Sequence, residues 1–563
     1  MNYCLSTKPL RLDSSCVTFR EKSWANPEFH LLLTRFLPDF FFIIPMKKLF
    51  LDFTLLIGIL LLFSVVWIYV KTKDRFPDYS LDLHLKSPES PIFAGFAKVD
   101  ITPQKFETWT DANGDSRYNP EDGDTFEDAN ENGQFDAIWL AGFHNSRPAQ
   151  GVLDPLWARA MVLEAGEIKM ALCVIDMIGF GNDEVILARK RILESNPDLD
   201  YVLIASTHVH SSPDLIGQWG PSDYTRGVNP DYLNQVLEGI KDAVSEASSS
   251  VRPAYVRFAE ESEKLKPLVG DTRPPVIFDA SLKLMQVLDA ETGATLGTLM
   301  NWGNHPETLW SENIQLSSDF PDPWRNGVES GIQVGDSLVM QGVGGVAIFL
   351  NGAVGGLMTT HPEMGVVDPY SGETFLRQSP EKMRAQGKAL AKITLETLQD
   401  AVWDTIQTAP LSIRAKTIDL KMDNSLIHLA AILGIFERGF TSWKQIRSEV
   451  SAWTLGPASF VHVPGELYPE ILHGGVESPE GGDFEVQPIE VPAIQSQIPG
   501  KFKFFGGLTN DMIGYIVPKS QWDAEPPFTY DYKNRPYGEI NSLGPETAPK
   551  IHREILSILE EMK

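Results

Sequence analysis

An α/β body behind a single N-terminal transmembrane helix is the fold class that the sequence predicts. Strand-like apolar runs alternate with helical patterns along most of the chain, and Phe53 to Val70 holds eighteen residues without a charge. The 43% apolar content over 563 residues is enough to build a large core. A formal net charge of −27 argues against nucleic acid as a partner, because phosphate would repel such a surface. Glycine and proline are spread along the chain, which fits a globular protein with many loops.

As a helix, the uncharged run reaches ~27 Å, close to the hydrocarbon thickness of a bilayer. Lys47 and Lys48 follow Met46 just ahead of it, and no small-residue cleavage site precedes Lys71, so residues 46–75 are expected to form an uncleaved signal anchor. Lys71, Lys73 and Arg75 flank the far end as well. Asp74, Asp78 and Asp82 then favour an exported body, periplasmic or extracellular. A buried core helix is the alternative. Residues 1–45 do not look like a domain and are expected to be a non-native or disordered extension, with Met46 as an alternative start; Cys4 and Cys16 would then be absent. Cys173 lies in a strand-like run, so no disulfide framework is expected. Residues 76–92 are expected to be a linker, with the body proper spanning 93–563.

Within the body, Met170 to Asp176 and Tyr201 to Ser206 read as strands, with a helix over Asp183 to Glu194 capped by Asn182; together they predict a βαβ unit. Pro230 after Asn229 and Pro380 after Ser379 each open a helix, the position where proline is tolerated best. Further strands are expected at Lys283 to Leu288, Leu296 to Trp302 and Val346 to Leu350, and a closing helix at Thr547 to Met562. An acidic insert, residues 111–136, holds two loops with oxygen side chains at positions 1, 3 and 5: Asp111, Asn113 and Asp115, then Asp128, Asn130 and Asn132. Asp122 falls at position 12 of the first; Gly133 and Asp136 fall at positions 6 and 9 of the second. This is the spacing by which calcium loops wrap their ion, although no flanking amphipathic helices are evident; a solvated acidic loop is the alternative.

Chemistry gathers at the strand ends. His208 and His210 close the run that begins at Tyr201, and residues i and i+2 of a strand share a face, so the two imidazoles are a ready pair of metal ligands. A catalytic zinc takes three protein ligands and keeps a position open. His305, just past the apolar run Leu296 to Trp302, is the third candidate. Glu466 follows the apolar segment Ala458 to Val463 and the turn Pro464-Gly465, and offers a carboxylate. The plainer alternatives are polar residues at a strand end, a turn cap before Pro306 and a solvated loop acid. Asp176 is a candidate acceptor for a ligand histidine, or equally a turn or N-cap residue.

These motifs carry a resemblance. Ser206-Thr-His-Val-His-Ser-Ser-Pro213 resembles the Ala-Thr-His-Thr-His-Ser-Gly-Pro motif of the neutral/alkaline, non-lysosomal ceramidases. Phe93-Ala-Gly-Phe-Ala-Lys-Val-Asp-Ile-Thr-Pro103 is similar to that family's opening strand, Asn301-Trp-Gly-Asn-His305 to its Asn-Trp-x-x-x-His segment, and Pro464-Gly-Glu466 to its Pro-Gly-Glu turn. In order and spacing the likeness runs over about residues 93 to 560. It implies mixed β-sheets flanked by helices and a zinc amidase that cuts the N-acyl bond of ceramide-like lipids. The implied metal ligands are His208, His210, His305, Glu466 and a tyrosine. Tyr515, in Thr509-Asn-Asp-Met-Ile-Gly-Tyr-Ile-Val-Pro518, is the candidate for the last, since Met512 stands where the family has another tyrosine.

The chain departs from the family at its Gly-Asp-Val-Ser-Pro loop, whose serine is treated as catalytic. The corresponding stretch is Phe349-Leu-Asn-Gly-Ala-Val-Gly-Gly-Leu357, with Ala353 for the aspartate and Gly355 for the serine. Attack by metal-activated water is then the simplest chemistry, with His210 beside it and backbone N–H groups around Gly355 as oxyanion donors. A tight turn is the ordinary use of Gly352, Gly355 and Gly356. Arg273 is similar to a family arginine that could hold a substrate oxygen, or it is a structural ion-pair partner. Family members often add an immunoglobulin-like C-terminal domain, and this chain is expected to stop before it. The alternative functions are hydrolysis of a different amide or ester, and an inactive envelope protein that binds lipid or glycan.

Overall fold

The computed structural model describes residues 46–401 and 404–563, so the expectations for 1–45, including Cys4 and Cys16, lie outside the described residues. The elements used below are, in chain order, α1 (Met46–Thr72), β1 (Asp82–Lys86), β2 (Ser90–Asp100), β3 (Trp157–Ala165), β4 (Ile168–Ile175), α2 (Asn182–Ser195), β5 (Tyr201–Ser206), α3 (Pro230–Ser249), β6 (Arg252–Glu261), β7 (Leu282–Asp289), β8 (Thr295–Trp302), α4 (Pro321–Ser330), β9 (Val346–Asn351) and α5 (Pro380–Asp400). They continue with β10 (Leu411–Lys421), α6 (Ser425–Leu433), β11 (Gln445–Leu455), β12 (Ala458–His462), β13 (Glu466–Leu467), β14 (Phe502–Gly506), β15 (Tyr515–Ile516) and α7 (Thr547–Glu561).

Two mixed sheets form the body. The larger runs β9-β8-β7-β6-β2-β3-β4-β5, and the smaller β1-β10-β11-β12-β14. Pairs β4–β5, β8–β9 and β12–β14 are parallel, and the other main-path pairs are antiparallel. The strand period of two sorts side chains between faces. Leu172 and Val174 of β4 join Leu203 of β5, Phe258, Leu299, Trp453, Phe460 and Phe504 in a core between the two sheets. Their neighbours Ala171, Cys173 and Ile204 face the other way, onto α2 and α3. Helices α4 and α5 cover the rest of the larger sheet, and α7 covers the smaller. The layers are therefore helix, sheet, sheet, helix.

The βαβ unit is present as β4-α2-β5. Its cap is not Asn182: Gly181 occupies that position, and Asn182 is drawn into the first turn, where its amide donates to the Asn510 carbonyl at 2.9 Å. Pro230 and Pro380 open α3 and α5 as expected, and Asn229 and Ser379 cap them, each accepting an N–H from three residues on. Residues 76–92 are not a linker throughout, because β1 pairs along its whole length with β10 and forms an edge of the smaller sheet. In the acidic insert, Tyr118, Phe126, Phe135 and Trp139 stack into one aromatic cluster that pins the two loops. Asp111 and Asp128 accept backbone N–H groups from their own loops. Asn130 and Asn132 both donate to Asp136. Asn113 donates to Asp115. The acid that reaches back to the first loop is Asp124, at Ala112 N, while Asp122 accepts from Asn119 instead.

Residues 46–66 of α1 and the body Trp67–Lys563 are each described by themselves. Helix α1 has a candidate span from Phe50 to Thr72, long and apolar enough to cross a membrane, and its residues Phe50 to Val70 are not buried.

Candidate metal centre

The site forms where four chain segments leave their strands. After β5 the chain turns sharply, with His208 held in the left-handed region at φ 69°, a conformation that costs a non-glycine residue about 1–2 kcal/mol. The convergence of His208 and His210 is thus made by this turn and not by strand alternation. Backbone hydrogen bonds fix the turn: His208 N donates to Met177 O and His210 N to Pro306 O. His305 lies past β8, its N–H on Met358 O. Glu466 and Tyr515 are register partners in the short parallel pair β13–β15.

These folds bring the three histidines together, with one nitrogen of each within 4.8 Å of the others and all three buried. The Nδ1 of His208 lies 2.6 Å from Ile178 O, and the Nδ1 of His305 lies 2.7 Å from Met358 O. Those carbonyls take the Nδ1–H, which leaves each Nε2 lone pair free to face the centre. Glu466 Oε2 stands 3.4 Å from His208 Nε2 and 3.2 Å from His305 Nε2. Among the described residues, neither ring nitrogen of buried His210 makes a well-aligned hydrogen bond, and Glu307 Oε2 stands 3.1 Å from its Nδ1. A third buried imidazole, beside two oriented Nε2 atoms and a carboxylate, is a donor set of the kind that a zinc ion accepts.

Electrostatics favour the ligand form at His210 and Glu466, whereas at His305 burial, which lowers the imidazole, is outweighed by Glu466 and Glu307, which raise it above its usual range. Burial drives His210 well below the usual histidine range, aided by His208, His305 and Arg147, so it is neutral. Burial alone would raise Glu466, but the two histidines hold it down at about 2. Burial also raises the Tyr515 hydroxyl well above its ordinary value, reinforced by the Glu466 charge.

Other expected site residues go elsewhere. Asp176 is no partner of a histidine: it makes a paired contact with buried Arg325, both oxygens at 2.9 Å, and accepts from Trp157 N. Arg273 is buried, paired at 2.8 Å with Glu470 and stacked 4.0 Å from the Tyr468 ring. Gly355 N donates to Leu467 O, so that N–H is not free as an oxyanion donor. A Cβ on Gly355 would lie 2.4 Å from Tyr468 Cδ1 and 2.6 Å from Glu466 O, which explains why no side chain stands there. Two residues escaped the sequence reading. Glu307 is buried with Oε2 3.1 Å from His210 Nδ1, and its position two residues after His305 was the signal available. Arg147, also buried, donates to the His210 carbonyl.

A cavity of about 340 Å³ opens beside the cluster. His208, His210, Glu466 and Tyr515 line it together with an apolar wall that includes Met512, Ile540 and Leu543 and the α6 side chains Leu426, Ile427 and Ala430. This size is that of a small-molecule site.

The layered sheets and flanking helices are the fold of the neutral ceramidases. The particular likeness is to the neutral ceramidase of Pseudomonas aeruginosa, with a TM-score of 0.57 and 14% identity over 84% of this chain and 75% of that one. A second solved structure, a ceramidase complexed with C2, aligns with the same score, identity and coverage. No family model and no curated protein sequence matches the chain.

Proposed function

We propose that the chain is a zinc-dependent hydrolase that cleaves an N-acyl amide of a ceramide-like lipid. The observation that carries this is the buried cluster of His208, His210, His305 and Glu466, of which His208, His210 and Glu466 line an apolar cavity. His208, His210, His305 and Glu466 would hold the ion, with Tyr515 as the further candidate ligand. Zinc in such a set supplies polarisation of a carbonyl and a water acidic enough to attack at neutral pH. The chain itself fixes the imidazole tautomers through the Ile178 and Met358 carbonyls and keeps Glu466 ionised. Its apolar wall shelters an acyl chain from water, and the Tyr515 hydroxyl, which stays protonated, can donate to an oxygen at the centre. The shared fold supports the ceramide-like substrate, and α1 supports an anchored location with the body exported.

A hydrolase for another amide or ester, or an inactive lipid-binding protein, is the second reading. Gly355 favours it, since there is no room for a serine at that point. The test is release of fatty acid from N-acyl sphingoid bases and from simpler amides and esters by detergent-solubilised full chain, with and without chelator. Chelator-sensitive release that is lost in His305→Ala supports the proposal. Zinc-loaded protein that turns over nothing on the panel would favour the binding protein.

A further inference from the structure

Helix α6 is apolar on nearly every side: Ser425-Leu-Ile-His-Leu-Ala-Ala-Ile-Leu433 contains one titratable residue, His428, which is buried. Ile427 and Ala430 line the cavity. Leu426, Leu429 and Leu433 lie at i, i+3 and i+7 and so share a face, yet they are 61, 50 and 45% exposed. Trp443, 61% exposed, extends that face, its ring 4.9 Å from the ring of His428. A wholly apolar helix is normally buried, and an exposed apolar patch marks an interaction surface.

The neighbouring chain identifies the occupant. Trp67 to Thr72, the end of α1, belongs to the body, and the Trp67 indole donates to the α6 carbonyl of Ile432 at 3.0 Å. Lys71 lies against Gly434, the residue that caps α6. The apolar run therefore terminates beside α6, with a tryptophan and a lysine at its edge, as at a membrane–water boundary. We propose that α6 and Trp443 dip into the headgroup–acyl boundary of the bilayer leaflet from which α1 emerges, so that the wall of the cavity is presented to lipid. The docking stands independently of any catalysis.

The test places a nitrobenzoxadiazole label at Leu429→Cys or Leu433→Cys in full chain carrying Cys4→Ser and Cys16→Ser; Cys173 is wholly buried and does not compete. Glu291→Cys is the reference, at the exposed turn between β7 and β8, the end of β8 away from His305. In phosphatidylcholine nanodiscs containing lipid with a nitroxide at acyl carbon five, quenching at either leucine position should exceed the Glu291 reference by at least about threefold. Quenching equal to the reference at both positions overturns the proposal. So does a blue-shifted but unquenched label, which would mean that a second copy of the chain covers the face.

Discussion

At the residue scale, the site rests on how each side chain is partnered. His208, His210, His305 and Glu466 were legible because each follows an apolar strand, and strand ends are where loops build sites. Glu307, Arg147 and the fates of Asp176 and Gly355 were not, because their partners lie far away in sequence: Arg325 is 149 residues from Asp176. Gly355→Ser is expected to destabilise the fold by about 1–3 kcal/mol by urea unfolding, since its Cβ would overlap the Glu466–Tyr468 segment, and to restore no serine-type activity. His462 permits a prediction with a definite sign. Buried, with Trp453 donating to its Nε2, it is pushed down to about 3. The unfolded chain, whose histidine titrates near about 6.5, then binds more protons across that interval. Stability should be full above pH ~6.5 and fall by about 1.4 kcal/mol per unit toward pH ~3 from this group, and His462→Gln should flatten that slope. An unchanged slope in the variant would contradict the assignment.

At the element scale, periodicity located β4, α2, β5, β7, β8 and β9 to within a residue or two, since each carries its full pattern locally. The loops were harder. The turn after β5 places the histidines through a left-handed backbone that no period announces, and β1 was missed because an exposed edge strand has a weak apolar signal. Asp176 at the end of β4 locks α4 onto the sheet through Arg325, a fully buried pair. Asp176→Ala should therefore cost about 3–5 kcal/mol in urea unfolding and leave zinc content unchanged in the folded fraction. Loss of zinc from stably folded protein would return Asp176 to the metal site. For the two loops of the acidic insert, calcium at millimolar concentration is expected to raise the Tm, and Asp111→Ala with Asp128→Ala to abolish the rise; no rise in the parent chain would leave a solvated insert.

At the scale of the whole molecule, two sheets share one core, and helices on both outer faces leave the strand ends free to form a cleft. That layering followed from the family resemblance more than from any local pattern, because strand order is set by contacts between distant segments. The candidate membrane span was readable at once from its uncharged run, and the full chain is expected to stay with membranes through an alkaline carbonate wash; release into the supernatant would exclude a spanning helix. The central claim is a shared metal site built from three strand-end histidines and Glu466. Elemental analysis of purified full-length chain, beside His208→Ala and His305→Ala, tests it most directly. About one zinc per chain, lost in both variants while the fold persists, is the expected result. Folded parent protein without a transition metal, even after zinc is supplied, would contradict it.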